Sequence, residues 1–315
     1  MKSASIVIIA CGILRQFVFA AVAAIPALFA AQLPSPTLES SPRFESTANE
    51  VTQVFTVLDQ KGKPVAGLER KDFILSDDGE QVDELRAFEQ QSEVPLHTAV
   101  AIDLSGSVHG RVKYELDVST QFLKRVIGAG DAGWIVGFNF RPHLVSDWAR
   151  ARDTLLEVMR RDPAGGTAFY DTVIFACKRL VDASNDSHRR NVLVVISDGE
   201  DNSSHSSFNQ SLETALRSGV IVLVVYTGYS SPSRELRKLA EFSGGQLFLA
   251  DTKRGVLKGL SRAEEAIRAQ YFVAYRPAHL IRDGRFRSVR IRTVRGGFRV
   301  RSRRGYYADP PGPLK

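Results

Sequence analysis

Thr98-Ala99-Val100-Ala101-Ile102-Asp103-Leu104-Ser105-Gly106-Ser107 is an apolar run followed by one acid and two hydroxyls. The apolar half has the length of a buried strand, and ligand sites in open α/β sheets lie beyond the carboxyl ends of the strands. Alternate positions in a tight turn aim Asp103, Ser105 and Ser107 at one point, and such oxygen ligands suit a hard cation such as Mg²⁺. A second interpretation is that Asp103 and Ser105 only cap the helix that follows.

Strand and helix patterns alternate from residue 97 onward. Apolar residues at helical spacing predict helices near 111–127, 169–181 and 256–270. The runs Val192 to Ile196 and Val220 to Val225 are continuously β-branched, which is typical of strands covered on both faces by helices. The pattern therefore predicts an α/β fold with a doubly wound, mostly parallel, Rossmann-like sheet.

The residues on either side of this region have β patterning. Short apolar strands separated by turns, among them Asp78-Gly79, occupy 51–88. A segment of this size is marginal as a core of its own, and strand patterns return at 271–275, 288–294 and 298–303. We predict that the two sets pair, so that the α/β domain is inserted in a small β-sandwich formed by N- and C-terminal strands.

The first residues do not belong to the fold. Met1-Lys2 and Arg15 precede an apolar run from Phe17 to Ala31, as in a secretory signal peptide. We expect export to the periplasm, the cell envelope or the extracellular space, with an uncleaved membrane anchor as the alternative. Cleavage would leave Cys177 as the single cysteine, which excludes an internal disulfide. The predicted division is a signal peptide (1–31), a linker (32–49), the N-terminal sandwich segment (50–95), the α/β domain (96–270), the C-terminal sandwich segment (271–307) and a tail (308–315).

Two later loops carry the same residue types as the opening stretch. Gly165-Gly166-Thr167 is a Gly-rich loop just before a predicted helix, and Asp198 follows the predicted strand that ends at Ile196. All three segments fall where strands or helices end at one edge of the sheet. Together they offer two carboxylates and three hydroxyls, from Asp103, Asp198, Ser105, Ser107 and Thr167.

This set resembles the metal-ion-dependent adhesion site (MIDAS) of von Willebrand factor type A (VWA) domains, and the resemblance covers residues 97–270. It implies that Ser105, Ser107 and Thr167 hold Mg²⁺, while Asp103 and Asp198 act directly or through water. Mn²⁺ and Ca²⁺ are alternative cations. It also implies an open coordination position that accepts a carboxylate from a protein partner, since weak anionic ligation leaves the cation electrophilic.

The flanking β segments resemble those of a group of exported acidobacterial VWA proteins. The matching features are Asp72-Phe73 and Asp78-Gly79 before the domain, and Tyr271 to Tyr275 and Gly305-Tyr306 after it. This resemblance implies the same arrangement of an α/β domain between two β segments.

Residues near the ligand set are candidates for a partner-binding rim: His109, Tyr170, Glu200 and Asp201. Solvated loop acids explain Glu200 and Asp201 equally well, and an exposed polar residue is the simpler interpretation of His109. The C-terminal strands alternate arginine with apolar residues, which predicts a polar face opposite a core face. We interpret that face as solvated and partly neutralised by N-terminal acids, with binding of an anionic polymer as the alternative. Its members are Arg290, Arg292, Arg299, Arg301 and Arg303.

The motifs of the common enzyme classes are missing from the sequence, which has no P-loop, no His-Glu-x-x-His and no Gly-x-Ser-x-Gly. A metal-dependent hydrolase would also need a general base that the sequence does not offer. We therefore expect a non-enzymatic adhesion module that binds a protein carboxylate, with no nucleic-acid partner and membrane contact only through an uncleaved N-terminus. The alternative is an envelope scaffold protein that binds through its β-sandwich, the metal only stabilising the fold; the oligomeric state stays open.

Overall fold

The computed structural model describes residues 50–90, 94–108, 110–145, 150–161, 165–183, 188–277 and 279–308. The predicted signal peptide, the linker and tail residues 309–315 lie outside these ranges. Among the described residues, no helix is both long and apolar enough to cross a membrane.

The secondary structure follows the predicted change from β to α/β and back to β. The first strands are β1 (Val51–Leu58), β2 (Pro64–Val65), β3 (Phe73–Asp77), β4 (Glu80–Val82) and β5 (Leu85–Gln90). The α/β region follows with β6 (Leu96–Asp103), α1 (Val112–Val126), β7 (Ala132–Phe138), β8 (Pro142–Val145), α2 (Ala151–Arg161), α3 (Phe169–Asp182), β9 (Arg190–Ser197), α4 (Phe208–Ser218), β10 (Ile221–Tyr226), α5 (Arg234–Phe242), β11 (Leu247–Leu249) and α6 (Lys253–Arg268). The last strands are β12 (Gln270–Tyr275), β13 (Phe286–Thr293), β14 (Arg299–Ser302) and β15 (Gly305–Tyr307).

The α/β region contains one six-stranded sheet with the order β11-β10-β9-β6-β7-β8. Its neighbouring strands are parallel except β7 and β8, which are antiparallel. Residues from α1, α2 and α6 pack on one face of this sheet and residues from α3, α4 and α5 on the other. The prediction of a doubly wound, mostly parallel sheet is confirmed, and burial on both faces explains the continuous apolar runs of β9 and β10.

The strands before and after the α/β region form two further sheets together. In the first, β1 pairs with β12 and β14, and β12 also pairs with β5, all antiparallel. In the second, β13 pairs with β3 and β15, and β3 pairs with β4. The predicted pairing of N- and C-terminal strands is therefore observed.

An aromatic cluster fills the core between these two sheets. The ring of Phe55 stacks on Tyr271 at a centroid distance of 5.3 Å, and Phe73 meets Phe55 edge-on at 5.1 Å. The Tyr271 hydroxyl donates to the Val65 carbonyl at 3.0 Å and accepts the Leu68 amide at 3.1 Å. Rings from β1, β3 and β12 thus share one core, which explains why neither β segment could form it alone.

Arg303 departs from the predicted polar face, because its side chain is buried. Its guanidinium donates to the carbonyls of Leu216, at the end of α4, and Thr52, in β1, at 2.9 and 3.0 Å. The reason is local: β14 ends at Ser302, and Arg303 makes an isolated bridge to Ser243 instead of continuing the strand. The alternation seen in the sequence therefore does not carry Arg303 onto the exposed face.

A second buried arginine lies where the chain enters and leaves the α/β region. Arg190, the first residue of β9, donates to the carbonyl of Val94 at 3.1 Å and to that of Ile267 at 3.0 Å. It also donates to the side chain of Gln270 at 3.1 Å. Burial lowers the pKa of Arg190 to about 10, with Asp131 opposing the shift, so the guanidinium stays charged at neutral pH.

We expect Arg190→Ala to lower the free energy of unfolding by about 3 kcal/mol, because it leaves buried acceptors without their charged donor. Urea unfolding at neutral pH measures the loss, and Arg282→Ala, at an exposed arginine, is the matched control with a change within about 0.5 kcal/mol. Equal stability of the two variants would contradict this role for Arg190.

Candidate functional site

The candidate site lies at the edge of the large sheet where β6 and β9 end. These strands are parallel neighbours, with Ile102 opposite Ile196, so their carboxyl ends fall at the same edge. Asp103 is the last residue of β6, and Ser197, the last residue of β9, directly precedes Asp198. Two of the three predicted loops thus lie together because parallel neighbouring strands end at the same edge of the sheet.

Asp103 is fully buried, and both of its carboxylate oxygens accept hydrogen bonds. Oδ1 accepts the Ser105 amide at 2.9 Å, which closes a tight turn directly after the strand. Oδ2 accepts the Ser197 hydroxyl at 2.6 Å. Burial raises the pKa of Asp103, while the hydrogen bonds from Ser105 and Ser197 oppose the shift. The Asp103 carboxylate therefore connects the turn that follows β6 to the end of β9.

Three side-chain oxygens, from Ser105, Ser107 and Asp198, are linked one to the next by hydrogen bonds. The hydroxyls of Ser105 and Ser107 lie 3.1 Å apart, and the Ser107 hydroxyl donates to Asp198 Oδ2 at 3.0 Å. Adjacent ligands of an octahedral Mg²⁺ site with bonds near 2.1 Å are separated by about 3.0 Å. Each of these two separations therefore matches that of neighbouring ligands of one Mg²⁺.

The loop that carries Thr167 packs against the first loop through its backbone. The Gly106 amide donates to the Gly165 carbonyl at 3.3 Å. Thr167 itself is buried, and its amide donates to the Asn202 side chain at 2.8 Å. A Cβ on Gly166 would collide with the Ser203 hydroxyl, so glycine permits the close approach of this loop to residues 202–203, which follow Asp198.

A glycine also sets the course of the third loop. Gly199 has φ +73°, a left-handed conformation that glycine adopts without strain. Its amide donates to the Ser197 hydroxyl at 2.9 Å, and the next amide, that of Glu200, donates to Asp198 Oδ1 at 3.4 Å. The turn keeps Asp198 beside Ser107 instead of letting the chain continue away from the sheet.

The donor set fits a hard divalent cation. Hydroxyl and carboxylate oxygens are the ligands that Mg²⁺ prefers, and Asp103, Ser105, Ser107 and Asp198 already share one hydrogen-bonded network. Thr167 lies on the adjacent loop, so it would complete the set. The helix-cap alternative fails for α1, which begins at Val112 with Arg111 as its N-cap residue. Ser105 directly precedes a short 3-10 helix, Gly106–Val108, and its carbonyl accepts the Val108 amide at 3.2 Å.

The predicted rim residues occupy different surroundings. Glu200 is exposed beside Asp198, and Tyr170 is partly buried, with its ring against Phe208 at 6.1 Å. Asp201 accepts the Phe169 amide at 2.8 Å and so caps the start of α3. His109 lies outside the described residues. The roles of these residues toward a partner stay predictions.

Two residues that shape the site were not predicted from the sequence. Ser197 reads as the end of a β-branched run, but its hydroxyl is a partner of Asp103. Glu115 occupies a position on α1 that the sequence leaves unremarked, yet its side chain is buried. A glutamate among the apolar positions Val112 and Leu116 was the available signal for burial.

Glu115 has unusual surroundings for a carboxylate. Neither of its oxygens has a hydrogen-bond partner among the described residues, and the nearest cation is Arg111, with Nε 3.6 Å from Oε1. The Arg111 guanidinium instead donates to the Thr227 carbonyl at 2.6 Å. Burial raises the pKa of Glu115 to about 7; Arg111 opposes the shift, and the charges of Asp103 and Asp198 add to it.

We expect Glu115 to make the metal-free protein less stable as the pH rises. A group whose pKa is higher in the folded state contributes stability below its unfolded pKa and loses it as the pH passes the folded pKa. The window here runs from 4.5 to about 7, and the loss is about 3 kcal/mol.

Urea unfolding of wild type and Glu115→Gln in EDTA, across that window, tests this. The stability of the variant relative to wild type should increase with pH, whereas Glu84→Gln, at an exposed glutamate, should keep a constant difference. A flat difference for Glu115→Gln would show that its carboxyl titrates normally.

Comparison with known proteins identifies the class of the α/β region. Residues 98–200 match the family model of the von Willebrand factor type A domain, and this range includes all five predicted ligands. The chain therefore contains a VWA domain. No curated protein matches the chain.

Solved structures similar to this chain come from several sources. A von Willebrand factor type A protein from Catenulispora acidiphila has a TM-score of 0.48 and 11% identity, covering 82% of this chain and 73% of its own. An aerotolerance-related membrane protein from Bacteroides fragilis has a TM-score of 0.39 and 16% identity, covering 54% and 98%. Proximal thread matrix protein 1 from the mussel byssus has a TM-score of 0.45 and 16% identity, covering 59% and 49%.

Proposed function

We propose that this chain is an exported, Mg²⁺-dependent, non-enzymatic protein-binding module of the acidobacterial VWA type. Its MIDAS captures an acidic side chain of a partner at the edge where β6 and β9 end. The observation that carries this proposal is the chain of oxygens from Ser105 through Ser107 to Asp198, with separations of 3.1 and 3.0 Å. Both separations match those of neighbouring ligands around an octahedral Mg²⁺, which supports the proposal.

The predicted ligands would contribute to binding the ion in different ways. Ser105, Ser107 and Thr167 supply neutral oxygens, and Asp198 supplies a carboxylate beside Ser107. Asp103 keeps both oxygens on protein donors, so it acts as a buried negative charge that orients the Ser105 loop. A bound Mg²⁺ then supplies a position for a carboxylate oxygen from outside the chain.

The rim suggests which partner segments are favoured. Glu200 is exposed, and its backbone amide donates to Asp198 Oδ1 at 3.4 Å, so the loop beside the proposed ion carries a further acidic residue. A second acidic residue next to the captured one would meet this like charge, whereas a neutral or basic neighbour would not. We therefore favour a partner loop that presents an isolated carboxylate.

Mg²⁺ should stabilise the protein, because the ion binds only the folded site. At a hundredfold excess over its dissociation constant, the gain in free energy of unfolding is about 2.7 kcal/mol. Thermal unfolding with increasing Mg²⁺ measures it; Ser107→Ala and Asp198→Ala should lose the gain, and Ser231→Ala, in an exposed loop, should keep it. Absence of any shift with Mg²⁺, Mn²⁺ or Ca²⁺ would overturn the metal site.

Partner capture should depend on the same ion. Immobilised mature protein incubated with envelope extract should retain a protein in Mg²⁺ and release it on addition of EDTA. Asp103→Ala should fail to retain it, because the Ser105 loop loses its buried acceptor. Retention that survives both EDTA and Asp103→Ala would favour the scaffold function through the β-sandwich instead.

A further inference from the structure

A second surface of the molecule is rich in arginine and includes none of the predicted metal ligands. A groove of about 1060 Å³ lies between β3, β13 and β14 of the β-sandwich and α5 of the VWA domain. Its lining includes the arginines Arg237, Arg290, Arg292, Arg299, Arg301 and Arg304. We call this surface the arginine groove.

The positive charge of the arginine groove is not compensated by the described residues around it. The carboxylate among its lining residues is Glu241, and Glu241 already pairs with Arg304. Two of the N-terminal acids pair with residues outside the groove: Asp78 lies 3.7 Å from Arg287, and Glu89 lies 2.9 Å from His188. Within the described ranges of the chain, Arg237, Arg290, Arg292 and Arg299 make no ion pair at all.

One of these arginines is already partly removed from water. Arg301 is half-buried, and it donates to the Gly245 carbonyl at 3.2 Å. Its Nε is buried without a hydrogen-bond partner among the described residues. A buried donor without an acceptor is destabilising, so an anion that supplied the acceptor would recover some of that cost.

The arginines also have a regular spacing. Along β13, Arg290 and Arg292 are exposed and alternate with the buried Val289 and Ile291, so their side chains leave the same face about 7 Å apart. Arg299 and Arg301 repeat this i, i+2 relation on β14. An extended polypeptide has the same period, because every second side chain points to one side.

We propose that the arginine groove binds an extended segment of a partner protein with acidic residues at alternate positions. Carboxylates at that period lie opposite successive guanidinium groups, and the pairs can form bidentate hydrogen bonds. Single-stranded nucleic acid fits less well, since Phe286 is the single aromatic ring among the described lining residues and such ligands need stacking platforms. The concave shape likewise suits a chain better than a flat lipid surface.

Fluorescence anisotropy with labelled peptides tests this on the full chain. One peptide has aspartate at every second position between threonines; the other has the same composition with its aspartates in one block. EDTA is present throughout, so that the proposed metal site cannot contribute. The alternating peptide should bind about tenfold more tightly than the block peptide, and its affinity should fall as salt rises.

Two double variants of equal charge change separate the groove from general electrostatics. Arg290→Gln with Arg292→Gln should weaken the alternating peptide about tenfold or more. Arg254→Gln with Arg282→Gln, at exposed arginines outside the groove, should leave the affinity nearly unchanged. All four positions are exposed, and unfolding midpoints should show that both variants are folded.

Several outcomes would overturn the proposal. These are equal affinity for the alternating and block peptides, equal loss in the two double variants, or tighter binding of polyphosphate, of a single-stranded oligonucleotide or of anionic vesicles than of the alternating peptide. Asp103→Ala should leave peptide affinity unchanged. Failure of the metal site and failure of the arginine groove are thus distinguishable.

Discussion

The guanidinium of Arg190 connects the points at which the chain enters and leaves the α/β region. Val94 lies just before β6, and Ile267 and Gln270 lie where α6 gives way to β12; all three accept hydrogen bonds from this one side chain. The sandwich strands β5 and β12 pair just outside this junction. Pairing of the two halves of the sandwich therefore depends on a domain whose ends are held close together, and a buried charged donor with carbonyl acceptors on both ends provides that constraint.

The same strand that begins at this junction ends at the candidate metal site. β9 runs from Arg190 to Ser197, and the Ser197 hydroxyl is bonded to the buried carboxylate of Asp103. The positions of Asp103 and Asp198 at this edge are thus determined by the register between β6 and β9 rather than by the lengths of the loops. Burying the carboxylates of Asp103 and Glu115 costs free energy in the protein without a metal. The cation proposed for this site would lower that cost.

Much of the architecture could be predicted because some sequence patterns are compatible with only one structural arrangement. Continuous β-branched runs indicated parallel strands buried on both faces, and a β segment too small for its own core indicated a partner elsewhere in the chain. Asp103 and Asp198 were located because they come directly after such strands. Ser197 was missed because no pattern says which of several hydroxyls reaches a carboxylate across a sheet. Arg303 was misplaced because strict alternation was extended one residue beyond the strand. Glu115 was missed because tertiary packing, and not helix periodicity, decides whether a charged residue on a helix is buried.

The divided sandwich has a consequence for the order of folding. The Tyr306 hydroxyl bonds to Asp77 Oδ2 across 229 residues of chain, so this contact closes a very long loop, and such contacts form late. The VWA domain consists of contacts that are closer in sequence, so we expect it to fold first and bring β5 and β12 together. During synthesis, the apolar faces of β1 to β5 would then stay uncovered until the last strands are made. That interval is when the chain is most exposed to aggregation and most dependent on chaperones.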